Sequence, residues 1–514
     1  MSGEVWQQNM YRMFAEGFPS PSAHFIEGTG GRKITYGEVE SGSARLANAL
    51  VGFGVVEGDR VMVQTHKSPE VVLLYLACLR INATFVPLNT AYTEAELRYF
   101  LSDAEPRLVV CDPASPIASI DLAGDYPGAR LETLDAEGQG SLTEAATGQP
   151  EIFVTAGGDG SAIACILYTS GTTGRPKGAM LSHSNLGSNA ATLREAWGFT
   201  ADDVLLHVLP VFHAHGLFVA INTVLANGTS MIFLPRFDVG DVLASLPRAS
   251  IMMGVPTFYT RLLGAVEFTR EACAHMRLFI SGSAPLLAEV HDEFSARSGH
   301  AILERYGMTE TAMNTSNPLD GARVPGSVGP PLPGIEARVV DDDDKALATG
   351  EVGAIQVRGP NVFTGYWRKP DKTAEDFCAD GFFKTGDVGY IDEHGYVFIV
   401  GRAKDLVISG GYNVYPKEVE TCIDELDGIG ESAVIGVPHA DFGEAVVAVV
   451  TRAGDGNAVP EQTDVIAALK TQLAAYKVPK AVVFVDEIPR NVMGKVEKGK
   501  LREAYQGILA SAAT

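Results

Sequence analysis

The sequence predicts a large N-terminal region of layered α/β subdomains with an antiparallel β subdomain, followed by a small C-terminal α+β domain. Three observations carry this reading. Apolar runs at 60–64 and 108–111 alternate with helical patterns up to about residue 340, the order that builds mostly parallel sheets covered by helices. A Gly-rich stretch from 350 to 401 breaks into short alternating segments, 354–357 and 396–400 among them, as antiparallel strands do. After residue 401 a helix (416–426), two strands (432–437, 445–451), a helix (463–476) and a strand (481–485) make a unit of their own. The expected domains are therefore 1–402 and 403–514.

Within 69–79, Val71, Leu74, Tyr75 and Cys78 recur at helical spacing, which predicts an amphipathic helix. Residues 162–167 and 179–183 are strand-like and bracket a loop dense in glycines and hydroxyls. The 514 residues, 46% hydrophobic and 20% charged, suffice for several cores. No apolar run approaches the ~18–20 residues of a membrane span. The first 14 residues lack the basic-then-apolar order of a secretory signal, so a cytoplasmic protein is expected. A formal net charge of −23 disfavours nucleic acid and membrane surfaces as partners, and an anionic substrate must be held by local cations. The six cysteines are scattered singly with no CxxC spacing, as reduced, buried small hydrophobes are. The acidic run 341–344 reads as a solvated turn.

The loop runs Thr169-Ser170-Gly171-Thr172-Thr173-Gly174-Arg175-Pro176-Lys177-Gly178. Its glycines remove Cβ atoms where backbone must approach a ligand, and its hydroxyls, amides and Lys177 offer donors to phosphate oxygens. It lacks the order of a Walker loop, and on composition alone a polar surface loop also explains it. Read whole, it resembles the phosphate-binding signature T-S-G-T-T-G-x-P-K-G of the adenylate-forming superfamily. That superfamily includes acyl-CoA synthetases, carrier-protein adenylation domains and firefly-type luciferases, and the resemblance spans about residues 35–502.

The resemblance implies ATP, Mg2+ and coenzyme A as cofactors, with Thr169, Ser170, Gly171, Thr172, Thr173, Gly174 and Lys177 around the phosphates. Glu304-Arg305-Tyr306-Gly307-Met308-Thr309-Glu310-Thr311 resembles the adenine and Mg2+ segment. Tyr306 would stack on adenine, Thr309 would bond the α-phosphate, and Glu310, with Thr173, would hold the hard cation through oxygen. Ser281-Gly282-Ser283-Ala284-Pro285 resembles the turn lining the adenine and acyl pocket, which brings in Ser283 and Ala284. Asp387, in Lys384-Thr385-Gly386-Asp387, and Arg402, in Gly401-Arg402-Ala403-Lys404-Asp405, match the ribose-binding pair. Lys495 matches the catalytic lysine, whose ammonium stabilises charge developing as the acyl-adenylate forms. Singly, Glu310, Asp387, Arg402 and Lys495 read as surface groups; their order and spacing reverse that. In the family the C-terminal domain is mobile and swings between half-reactions about the position of Lys404. Gly410 and Gly411 would then let a pantetheine arm pass against bare backbone. A lysine acyltransferase acting on Lys495 would remove its charge.

Segments 209–217, 276–284 and 313–317, with Met308, resemble the malonyl-CoA synthetase branch. This implies a small carboxylic acid, malonate first, joined to CoA through an acyl-adenylate with release of AMP and pyrophosphate. A second carboxylate inside a pocket needs a cation, because an unpaired buried charge is costly. Arg277 is the leading candidate: a strand over 277–280 would put Arg277, Phe279 and Ser281 on one face, although a purely structural Arg277 is the other reading. Arg236 is the second candidate, with a solvent-facing role as its alternative. His213 and Met308 are expected to line the acyl pocket, His213 otherwise packing in the core. Two further readings are a CoA ligase for another small, medium-chain or aryl acid, and a carrier-protein adenylating enzyme.

Ala214, between His213 and His215, leaves room for an α-methyl group, so methylmalonate is expected as a second substrate. Ala214→Val should lower kcat/KM for methylmalonate about tenfold relative to malonate, read as pyrophosphate release. Equal discrimination by both enzymes would refute this.

Overall fold

The computed structural model describes residues 8–169, 176–409, 412–439, 442–453, 460–491 and 494–509. By packing, the chain forms two compact units, Met1–Glu336 with Val357–Phe383, and Ala337–Gln356 with Lys384–Thr514.

Two sheets dominate the first unit. In one, strands Leu303–Met308, Leu278–Ser281, Ile251–Gly254, Val204–His207, Ser230–Phe233 and His24–Gly28 run parallel in that order. Antiparallel strands Ala312–Ser316 and Lys33–Thr35 close its two edges. The other sheet has a parallel centre of Ile163–Thr169, Thr84–Pro87, Arg60–Gln64, Leu108–Cys111 and Arg130–Thr133, edged by antiparallel Lys177–Ser182 and Gly365–Tyr366. Every residue of Thr84–Pro87, Leu108–Cys111, Ile251–Gly254 and Leu278–Ser281 is buried, as in a sheet covered on both faces. Helices start where the sequence supplies caps. Thr35 with Glu38 opens Tyr36–Gly52, Thr93 with Glu96 opens Glu94–Ala104, and Ser182 with Asn185 opens His183–Ala196.

Parallel pairing places the C-terminal ends of Val204–His207, Ile251–Gly254, Leu278–Ser281 and Leu303–Met308 along one edge, where ligands of open α/β sheets bind. An aromatic cluster anchors that edge. Phe279 packs edge-on against Phe294 at 5.0 Å, and Tyr259 against Phe294 at 5.3 Å. The Tyr259 hydroxyl donates to the Ile280 carbonyl at 2.6 Å. Each buried ring contributes about 1.5–3 kcal/mol and fixes the strand end carrying Ser281.

The second unit holds most of an antiparallel sheet of Glu336–Val340, Gly353–Arg358, Phe383–Ile391 and Val397–Arg402. It also holds a sheet of Tyr412–Val414, Val407–Ser409, Gly443–Arg452 and Ile429–His439, with Ala481–Phe484 parallel to Gly443–Arg452. Helices Pro416–Asp424 and Gln462–Gln472 cover it through Val419, Ile423, Val465 and Leu469. Packing thus groups the segments 337–356 and 384–402 with the C-terminal residues.

Among the described residues no helix is long and apolar enough to cross a membrane. Cys78, Cys111, Cys165 and Cys273 are buried free thiols, and Cys378 and Cys422 are half-buried ones.

Candidate active site

The strands Ile163–Thr169 and Lys177–Ser182 pair so that Thr169 faces Lys177. Ser170, Gly171, Thr172, Thr173 and Gly174 lie outside the described residues. Lys177 is buried, with its ammonium 4.4 Å from the centroid of the Tyr366 ring. Burial lowers its pKa, and Asp376 and Glu310 pull the other way. The Tyr366 hydroxyl donates to Glu310 Oε1 at 3.1 Å, and the Glu310 carbonyl accepts from the Phe363 amide at 2.8 Å. A buried carboxylate and a buried lysine thus flank the Tyr366 ring.

Glu310 and half-buried Thr309 sit in the turn joining Leu303–Met308 to Ala312–Ser316. Tyr306 and Met308 are half-buried on the first of these strands. A register shift between Tyr306 and Gly307 brings the chain so close that a Cβ on Gly307 would lie 1.8 Å from the Ala312 carbonyl oxygen. Only glycine fits there. Among the described residues no group of three or more His, Cys, Asp or Glu side chains could hold a metal ion.

At the neighbouring strand end several buried polar atoms lie together without hydrogen-bond partners among the described residues. Arg305 is 3% exposed, and its Nε and Nη2 have no hydrogen-bond partner among the described residues. Its guanidinium lies flat against Gly282, where a Cβ would come within 2.3 Å of Cζ. Ser281 Oγ and His215 Nε2 are likewise buried without a partner. His215 Nδ1 is 3.2 Å from the hydroxyl of Ser283, which holds a left-handed φ of 73° beside half-buried Ala284. Burial, then the Arg305 charge, push the His215 pKa well below its ordinary value, so the ring is neutral. Burial also pulls the Arg305 pKa down to about 9, with Tyr259 opposing. His213 is half-buried, its Nδ1 3.3 Å from the His215 amide.

Arg277, the expected clamp, is already engaged. Its Nε and Nη2 bind both oxygens of Asp203 at 2.7 and 2.6 Å, and its Nη groups reach the carbonyls of Trp197 and Gly198 at 3.3 and 3.0 Å. It also precedes the strand Leu278–Ser281 instead of ending it, about 13 Å from the pocket end at ~3.3 Å per residue. Its guanidinium edge is thus filled by Asp203 and the two carbonyls. Arg236 is exposed in the loop after Ser230–Phe233, where water solvates its charge. Arg305 carried a signal in the sequence: a charge inside a strand whose neighbours Leu303 and Glu304 are buried.

In the second unit, Asp387 and Arg402 pair across antiparallel strands, Arg402 Nε lying 2.8 Å from Asp387 Oδ1. Thr385 braces both: its hydroxyl accepts from the Asp387 amide at 3.0 Å and its carbonyl from Arg402 Nη1 at 3.1 Å. Lys495 follows a turn held by Asn491, whose Oδ1 accepts from the Lys495 amide at 3.0 Å. Arg490 donates to the Gly494 carbonyl at 2.6 Å and pairs with Glu431. The Lys495 side chain keeps exposed surface, yet enclosure of its ammonium, followed by the charge of Arg402, lowers its pKa to about 8. Lys404 is exposed in the short turn Ala403–Asp405. Gly410 and Gly411 lie outside the described residues.

The first unit thus holds a buried lysine beside a buried carboxylate, and the second a braced Asp–Arg pair. The chain belongs to the AMP-binding enzyme family, whose model matches residues 12–367, with the AMP-binding enzyme C-terminal domain matching residues 418–495. It is 34% identical over 522 residues to the malonate–CoA ligase of Arabidopsis thaliana, covering 93% of this chain and 85% of that protein. It is 37% identical to a feruloyl-CoA synthase of an Amycolatopsis species, covering 93% and 95%. Its fold matches the crystal structure of ATP-bound MatB from Rhodopseudomonas palustris with a TM-score of 0.95 at 56% identity, over 97% of this chain and 99% of that one.

Arg277→Ala removes one partner of a largely buried ion pair and should cost about 3 kcal/mol of stability, measured as a shift of the denaturant midpoint. The ratio of turnover on a dicarboxylate to turnover on a monocarboxylate should stay at the wild-type value.

Proposed function

We propose that the chain is a malonate–CoA ligase: it forms malonyl-adenylate and pyrophosphate from malonate and ATP, then malonyl-CoA and AMP. The observation that carries this is the unpaired Nε and Nη2 edge of buried Arg305. A buried guanidinium without a counter-charge is costly, and a carboxylate accepting both N–H groups relieves that cost. The alkyl end of a monocarboxylic acid offers nothing in return. Ser281 Oγ and His215 Nε2 supply further donors for the same carboxylate, the neutral imidazole bearing its proton on Nε2 when Nδ1 accepts from Ser283. The malonate–CoA ligases among the relatives support the reading. Feruloyl-CoA synthase is as similar in sequence, but an aryl acid would leave Arg305 unpaired.

The other carboxylate is the nucleophile. One of its oxygens attacks the α-phosphorus of ATP, and the bond to pyrophosphate breaks. Lys177 and the 169–178 loop hold the outer phosphates, Thr309 donates to the α-phosphate, and Tyr306 stacks on adenine. Asp387 accepts from the ribose hydroxyls while Arg402 keeps it oriented. Glu310 supplies the protein's oxygen ligand to Mg2+, which would neutralise phosphate charge, and Thr173 a second. The ammonium of Lys495 stabilises the charge that builds in this transition state. The C-terminal residues then pivot about Lys404, and the CoA thiol passes Gly410 and Gly411 to attack the acyl carbon, expelling AMP. We place the reaction in the cytoplasm, and acylation of Lys495 would silence its first half.

Arg305→Met should lower kcat/KM for malonate at least 100-fold, since losing a buried charge partner costs about 2–5 kcal/mol. Propionate turnover should hold or rise, and thermal stability without substrate should rise, because an unpaired buried charge has gone. Parallel loss on both acids would sink the assignment.

Adenylation needs Lys495 charged. With its pKa lowered to about 8, the rate should fall as pH rises through that value. Lys495→Arg should be slower, with its alkaline limb displaced upward. A flat wild-type profile to pH 10 would contradict the role.

A further inference from the structure

The loop after Arg60–Gln64 carries Lys67, an amine that the mechanism above leaves unused and whose pKa desolvation holds well below its ordinary value. Its Nζ donates to His207 Nδ1 at 2.7 Å and to the His207 carbonyl at 2.9 Å, and lies 4.2 Å from the centroid of the Phe233 ring. His207 ends the strand Val204–His207, so this contact ties the two large sheets together. On its other side, His207 Nε2 lies 2.9 Å from the Gly216 carbonyl.

These partners settle the tautomer. A carbonyl only accepts, so Nε2 carries the proton, and Nδ1 accepts from Lys67. Burial and then the Lys67 charge hold the His207 pKa well below its ordinary value, so the ring stays neutral and cannot offer a proton at both nitrogens. Gly216 has no slack of its own: a Cβ there would lie 2.0 Å from the Pro210 carbonyl oxygen. It is the second residue of a π-helical segment, His215–Ile221, and the residue before it is His215, whose unpartnered Nε2 lies in the acid pocket beside Arg305.

We propose that Lys67 is a positioning residue for acid selection, acting through the His207 ring and the Gly216 carbonyl to hold His215 in the pocket. The chain is Lys67 Nζ–H to His207 Nδ1, His207 Nε2–H to Gly216 oxygen, and Gly216 by covalent linkage to His215. The inference rests on the acid pocket assigned above. It adds that the pocket is set from a residue on the other sheet, which touches neither acid nor nucleotide.

A double-mutant cycle on acid KM tests it. Lys67→Met and His207→Leu should each raise the KM for malonate about tenfold, leaving the KM for ATP within twofold. The double variant should be no worse than either single one, since both cut the same chain. His207→Gln, whose amide can donate to Gly216 and accept from Lys67, should stay within threefold of wild type. Multiplying effects in the double variant, or an unchanged malonate KM in Lys67→Met, would overturn the relay. If Lys67→Met does not fold, the Leu-versus-Gln comparison at His207 decides alone, equal KM values overturning the relay. A wild type that turns over propionate as well as malonate defeats the malonate reading instead; the relay is then scored by the same cycle on propionate KM.

Discussion

Much of one edge of the first unit's larger sheet is arranged around one unfavourable fact, a guanidinium held almost entirely out of water with no anion beside it among the described residues. Arg305 is tolerated there because everything around it has yielded. Gly282 gives up its Cβ, which would otherwise collide with Cζ at 2.3 Å. The next residue, Ser283, takes a left-handed φ of 73°, which carries the chain away from the guanidinium and turns its hydroxyl towards His215. His215 stays neutral, sparing the pocket a second positive charge. Beneath, the Tyr259–Phe279–Phe294 cluster keeps the strand end from relaxing to let water in. Strain and desolvation of this kind collect where binding relieves them.

The contrast with Arg277 shows that the residue type alone decides little. Both arginines offer the same Nε and Nη2 edge. In Arg277 that edge is filled by Asp203, itself held by Ser250 at 2.7 Å, so the guanidinium is a strut. In Arg305 the edge has no partner among the described residues, which is what the proposed role as a carboxylate receptor requires. Losing Arg277 therefore costs folding free energy, whereas losing Arg305 releases it; stability and function have opposite signs at two arginines 28 residues apart.

Local pattern carried the fold well. The strands expected at 60–64 and 108–111 occur at those bounds, and the helix expected at 69–79 runs Pro69–Arg80. The helix expected at 463–476 stops at Gln472, because Leu473 turns extended with ψ at 150°. What could not be read locally is pairing over distance. Asp203 lies 74 residues from Arg277, and Tyr366 lies 56 residues from Glu310. The motifs brought Tyr306, Glu310, Asp387 and Lys495 into view because such spacings are short or stereotyped. The choice between Arg277 and Arg305 needed the partner to be seen, as did the importance of His215 next to His213. Lys67 had no motif at all, since its meaning comes from a ring on another sheet.

Lys495 meets a different constraint. A transition-state cation must reach its place with little reorganisation, yet leave the site open when the thiol arrives. Its backbone answers the first need: Asn491 and the Arg490–Glu431 pair fix the turn, so the ammonium travels with the C-terminal residues as one body. Its lowered pKa answers the second. An ammonium partly deprived of water, with Arg402 and Lys404 near and Asp387 and Asp405 only partly offsetting them, gains more from an approaching polyanion than a solvated lysine would. In the proposed reaction it is drawn towards charge that exists while ATP and malonate react, and less strongly once pyrophosphate has left. The same electrostatics that speed the first half-reaction therefore loosen the lysine's hold before the second.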